Sequence, residues 1–223
     1  MLGVLCVDTA EPVFALTYDD GPDPAHTPSI LDVLADHGAR ATFFVLTDRA
    51  MAHRDLVARI MAEGHEVQLH GRDHKSMLTR GFWECRRHLG DAQRELESIG
   101  VRATLYRPPY MQFRATQMFA ARSRGLTLAL ASGDSRDWEH DEEESIAMRG
   151  AAAVFPGAAL LMHDSRADPE TARSADEIPR FDRAAVLDLL LRNSSARGLQ
   201  AVTMTELLSR APAVAARAYH RSR

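Results

Sequence analysis

The sequence predicts an α/β fold, a single barrel-like domain in which strands and helices alternate. Three observations lead there. Short apolar runs of strand length alternate with longer segments whose apolar residues recur at helical spacing, from Val13 through to Val202. Glycines close the helical segments, as at Gly38, Gly64 and Gly100. Polar residues able to do chemistry stand at the carboxyl ends of the extended runs, where the loops of a parallel barrel converge. About seven β/α units in one chain favour a parallel barrel over an open sheet.

Element by element, residues 13–18 read as the first strand. Residues 26–37 follow as a helix that opens on Thr27-Pro28 and carries Ile30, Leu31, Val33 and Leu34 at helical spacing. Residues 41–46 form the second strand, 49–63 a helix and 66–69 the third strand. A helix over 82–99 comes next, and 104–106 is extended because the Pro108-Pro109 pair behind it excludes helix. The alternation is completed by helix 116–124, strand 126–131, helix 143–154, strand 158–162, helix 183–197 and strand 199–202.

Composition narrows the function classes. The 223 residues are 45% hydrophobic, enough for one large core, and the net charge is −4 with acidic and basic residues interspersed. No basic face offers itself to nucleic acid or anionic lipid. Cys6 and Cys85 have neither disulfide-scaffold nor zinc-site spacing, so each is expected as a buried free thiol. The first eight residues lack a basic n-region and are interrupted at Asp8, and no stretch approaches the ~20 apolar residues of a membrane span. On this reading the chain is soluble and cytoplasmic. The Ala- and Arg-rich end from Pro212 is expected to fray, and oligomeric state is left open.

The most telling stretch is Thr17-Tyr18-Asp19-Asp20-Gly21-Pro22, two carboxylates at a strand end with a Gly-Pro turn behind them. A turn there lets consecutive side chains splay into one pocket, which suits one metal ligand and one base; the plain alternative is an Asp-Asp-Gly turn. His70-Gly71-Arg72-Asp73-His74 follows the third strand, and one turn of helix-like backbone would bring both rings to one face. Asp20, His70 and His74 then make a three-ligand set for a borderline divalent ion with positions left open, against the alternative of two packing imidazoles. Arg107-Pro108-Pro109-Tyr110 holds a cation and a main-chain N–H on stiff backbone, fit for positioning a carboxylate and an oxyanion, or else for a rigid connector. Asp134-Ser135-Arg136-Asp137-Trp138 and Leu161-Met162-His163-Asp164 end the two strands after that.

Taken together and in this order, the five motifs resemble the signature motifs of the polysaccharide deacetylase, or NodB-homology, family of carbohydrate esterases. Residues 41–45 and 63–67 resemble family sequence as well. The resemblance covers about residues 12–208, leaving 1–11 as a lead-in and 209–223 as a tail expected to be flexible. It implies a distorted (β/α)7 barrel holding a divalent metal, most often zinc, with cobalt or nickel as substitutes, on Asp20, His70 and His74. Asp19 would be the general base, oriented by Arg107. His163, held by Asp137, would protonate the departing amine. The Tyr110 main-chain N–H would stabilise the oxyanion, and Trp138 and Leu161 would wall the acetyl pocket. The implied substrate is a small molecule or oligosaccharide carrying an N-acetyl group.

Three departures from the family pattern stand out. Gly71 replaces the usual Ser or Thr, so another group must brace that loop. Met111 stands where glycine is usual, and residues 165–181 are longer than expected, as a rim over the site or an ordinary surface insertion. Three other readings compete. An iron(II) oxygenase shares the two-His, one-carboxylate set but has no use for a separate base and acid. An inactive sugar-binding module should have lost one of these groups. Hydrolysis of a non-sugar amide keeps all the chemistry and is the serious rival.

Overall fold

The computed structural model describes residues 3–166 and 178–216. Its strands are β1 (Gly3–Val7), β2 (Val13–Asp19), β3 (Thr42–Leu46), β4 (Glu66–Gly71), β5 (Leu105–Tyr106), β6 (Thr127–Leu128), β7 (Gly133–Asp134), β8 (Ala159–His163), β9 (Gln200–Val202) and β10 (Ala213–Ala216). The helices are α1 (Thr27–Asp36), α2 (Thr47–Ala52), α3 (Arg54–Ala62), α4 (Phe82–Glu97), α5 (Ala115–Arg122), α6 (Glu143–Ala153), α7 (Arg183–Ala196) and α8 (Met204–Arg210). The main sheet is parallel in the order β6-β5-β4-β3-β2-β8-β7, with β9 on the start of β2.

The sheet curls back on itself. β6 and β7 lie at opposite ends of its order yet are two halves of one interrupted strand. Between them Ala129 N–H donates to Tyr106 C=O (3.0 Å) on one side, and Ser132 N–H donates to Ala159 C=O (2.9 Å) on the other. Counting that strand once gives the seven-stranded distorted barrel expected from the motifs. β2 is buried at every position, as a strand of a parallel sheet covered on both faces must be. Its period of two sends Phe14, Leu16 and Tyr18 into the large cluster packed with the helices, and Ala15 into the cluster with Phe44, Ala129 and Ala159. Met204 and Leu207 of α8 join that second cluster, and Met204 N–H donates to Thr42 Oγ1 (2.7 Å).

Four sequence expectations are corrected. The helix expected over 49–63 is two helices, because His53 leaves the helical region (φ −127°, ψ 55°) between α2 and α3. The strand expected over 126–131 is shorter, since the chain changes pairing partner after Ala129. Helix α8 follows the last expected strand; it is too short to show a full apolar period, and its cap is Thr203, whose side chain accepts from Glu206 N–H (3.2 Å). Residues 213–216, expected to fray, form β10 antiparallel to β1, so lead-in and tail hold each other. Among the described residues no helix is long and apolar enough to cross a membrane. Most of segment 165–181 lies outside the described residues.

Candidate active site

Each motif sits at the carboxyl end of a strand, and strand register sets the neighbours. Asp19 on β2 is in register with His163 on β8, and Leu69, just before His70, with Tyr106, just before Arg107. Asp19 ends β2, and Asp20 beside it takes a left-handed backbone (φ 80°), a conformation Asp tolerates better than most residues. That reversal brings two consecutive carboxylates into one pocket.

The imidazoles are brought together by a different route from the one expected. His70 belongs to β4, not to a helical turn, and the chain bends at Gly71, whose φ of 135° is glycine territory. The rings of His70 and His74 end 5.2 Å apart. His70 Nδ1 lies 2.8 Å from the Arg107 carbonyl, which can only accept, so Nδ1 carries the proton and Nε2 presents a lone pair. Asp20 Oδ1 lies 3.3 Å from His70 Nε2 and 3.5 Å from His74 Nε2. One donor atom from each of the three residues lies within 4.8 Å of the others, and one carboxylate with two neutral imidazoles is a donor set that fits a divalent ion. Burial opposes ionisation of Asp20, but the surrounding histidine side chains, His70, His163 and His74, hold its carboxyl well below the usual range. In place of a hydroxyl at position 71, the loop is braced by Arg72, whose carbonyl accepts from Asp48 N–H (3.1 Å) and whose guanidinium reaches Asp48 (3.2 Å) and Glu95 (3.3 Å).

Arg107 is wholly buried, 0% exposed, beneath the two aspartates. Its Nη1 donates to Asp19 Oδ1 (2.7 Å) and Thr17 Oγ1 (2.8 Å), its other nitrogens donate to the carbonyls of Ala129 and Leu130, and it stacks on Phe44 at 4.1 Å. A buried cation with each nitrogen engaged is fixed in place, and so is the carboxylate it holds. Pro108-Pro109 then leads into Tyr110 and Met111, both with positive φ (57° and 50°). The Tyr110 ring packs 4.3 Å from His74 and is half exposed. Met111 therefore occupies, as a non-glycine, a backbone state that costs about 1–2 kcal/mol.

On the opposite side His163 Nδ1 lies 2.7 Å from Asp137 Oδ1, so the ring donates from Nδ1 and turns Nε2 outward. Burial alone would discharge the imidazole, yet the adjoining Asp137 carboxylate overrides it and pushes the His163 pKa up to about 9. The Trp138 ring stands edge-on to His163 at 5.7 Å, and Leu161, two residues earlier on β8, shares its face. The ten residues singled out from the sequence thus gather at one end of the barrel. Thr17, Asp164 and Arg183 are polar neighbours to which the sequence reading gave no role; Thr17 and Asp164 stand inside the quoted motifs, whereas nothing in the sequence marked Arg183.

Asp164 is buried beside Gly21, where a β-carbon would overlap its carboxylate, and it accepts from Thr27 Oγ1 (2.6 Å). Burial first, and then the charge of Asp20, push its pKa up to about 7. A carboxyl raised above its unfolded value of roughly 4 favours the folded state most below that pH, and the benefit is lost as pH rises through 7. In chelator-treated protein, Asp164→Asn is therefore expected to gain thermal stability over wild type at pH 8 and much less at pH 5. An equal difference at both pH values in thermal unfolding would contradict this.

A family model described as polysaccharide deacetylase matches residues 7–129. The chain belongs to the polysaccharide deacetylase family. It is similar to the chitooligosaccharide deacetylase of Sinorhizobium fredii, 33% identical over 85% of this chain and 89% of that one. Among solved structures, a peptidoglycan N-acetylglucosamine deacetylase in complex with 4-naphthalen-1-yl-N-oxidanyl-benzamide superposes with a TM-score of 0.81 at 26% identity, covering 91% of each chain. A family 4 acetyl xylan esterase of Clostridium thermocellum, in complex with a cobalt ion, superposes at 0.74 with 25% identity, over 88% of this chain and 90% of that one. Like these relatives the chain is a hydrolytic deacetylase, with the barrel they share.

Proposed function

We propose that the chain removes the acetyl group from an N-acetylglucosamine unit of an oligosaccharide or glycoside, with a divalent metal held by Asp20, His70 and His74, and that residues 12–208 form the catalytic unit. The observation that carries this is the pairing of Asp19 and His163, in register on adjacent strands and flanking the Asp/His/His cluster, each held by its own buried partner. The named activities of the chitooligosaccharide and peptidoglycan deacetylases support the sugar substrate. The cobalt ion of the esterase supports a divalent metal, and zinc is among the ions this donor set suits. When bound, the ion supplies Lewis acidity toward the acetyl carbonyl and acidifies the attacking water.

The protein's own groups divide the proton work. Arg107 occupies Asp19 Oδ1, so Oδ2 is the oxygen that takes the proton of the attacking water. His163 turns its Nε2 proton toward the leaving nitrogen while Asp137 retains the one on Nδ1. The Tyr110 main-chain N–H donates to the carbonyl oxygen as it gains negative charge. Trp138 and Leu161, both beside His163, receive the acetyl methyl group. The base and the acid are kept apart in role because Asp19 is held by Arg107 and His163 by Asp137.

Acetate release from metal-loaded enzyme, measured across N-acetylated chito-oligosaccharides, peptidoglycan fragments and non-sugar acetamides, tests the substrate. Release from the N-acetylglucosamine substrates is expected. Release from the non-sugar acetamides alone would overturn the proposal.

A further inference from the structure

Arg183, the first residue of α7, is buried under the acid side of the site. Its Nη1 donates to Asp137 Oδ2 (3.1 Å) and to the backbone carbonyl of His163 (2.7 Å). Asp137 in turn accepts from the His163 backbone N–H through Oδ2 and from the ring through Oδ1, both at 2.7 Å. Every polar group of His163 except Nε2 is therefore engaged by the Asp137–Arg183 pair. The guanidinium lies 4.9 Å from the Phe181 ring, which closes its outer side.

We infer that Arg183 is a positioning residue for the proton donor, locking His163 with Nε2 toward the leaving nitrogen and supplying the standing positive charge against which the imidazole can release its proton. This rests on the reading of His163 given above. In the step itself the Nε2–H bond breaks, the C–N electron pair leaves with nitrogen, a new N–H bond forms on the amine, and Nδ1–H stays on the ring. With Arg183 present, the group Arg183, Asp137 and His163 passes from a net charge of +1 to 0. Without it the same transfer runs from 0 to −1 and strands a lone carboxylate in the interior, which opposes release. A purely architectural arginine anchoring α7 would have no such selectivity.

The test compares two acetyl donors: an N-acetylated chito-oligosaccharide, whose amine leaves only with a proton, and 4-nitrophenyl acetate, whose phenolate leaves without one. Arg183→Met is expected to lower the amide-to-ester ratio of kcat by about 10- to 100-fold at unchanged metal content, with Arg183→Lys intermediate. In a His163→Ala background Arg183→Met should move that ratio no further, because both act on one step. Equal losses on both donors, or full amide turnover in Arg183→Met, overturn the inference. Should the Met variant not fold, the Lys variant decides: an intermediate ratio supports it and a wild-type ratio overturns it. A wild-type ratio in His163→Ala would sink the proton-donor reading itself, whereas a ratio lost there and kept in Arg183→Met removes only the role of Arg183.

Discussion

Asp19→Asn is expected to keep its metal and to lose turnover by about 10²- to 10⁴-fold, the usual share of a general base. The amide is nearly isosteric, and its oxygen can still accept from Arg107 Nη1, so the pocket keeps its shape. Basicity is what disappears. A second effect follows from burial: Arg107 is 0% exposed and loses its only carboxylate partner among the described residues, so a drop in melting temperature accompanies the loss of rate. Elemental analysis and acetate release on the same preparation separate base from ligand. Retained metal with unchanged turnover would contradict the role of Asp19, and lost metal would make Asp19 a ligand instead.

The second large effect concerns the donor cluster. His70→Ala and His74→Ala each remove one of three donors, and either change is expected to lower bound metal and to bring acetate release close to background. His70 should be the more severe. It is 1% exposed and its Nδ1 is anchored on the Arg107 carbonyl, so its removal also frees a buried acceptor next to the residue that holds Asp19. His74 stands on the loop, against the half-exposed Tyr110 ring, and its loss leaves that framework in place. Metal content measured against acetate release in the two variants checks the ordering.

Much of this site was legible in the chain because its residues sit where a parallel barrel must place them. Asp19, His70, Arg107 and His163 all mark strand ends, and strand ends can be read from apolar runs closed by polar clusters. What could not be read was backbone and partner choice. The spacing of His70 and His74 fits a helical turn, yet Gly71 at φ 135° achieves the convergence from a strand, a conformation that sequence spacing does not encode. Arg183 stands at a helix start like any surface arginine, and only the folded packing of α7 sets it under Asp137. β1 and β10 each looked like a terminal fragment because the pairing that stabilises them joins opposite ends of the chain. Residues 126–134 carry one strand-like run, but the barrel's curl makes it serve two neighbours in turn.

Central to the account is a single divalent ion on Asp20, His70 and His74 that deacetylation requires. The most direct measurement is titration of zinc into chelator-stripped protein, following bound metal and acetate release from an N-acetylated chito-oligosaccharide together. Activity rising in proportion to bound metal and levelling at one ion per chain is the predicted result. Full acetate release from protein shown to carry no metal would contradict it.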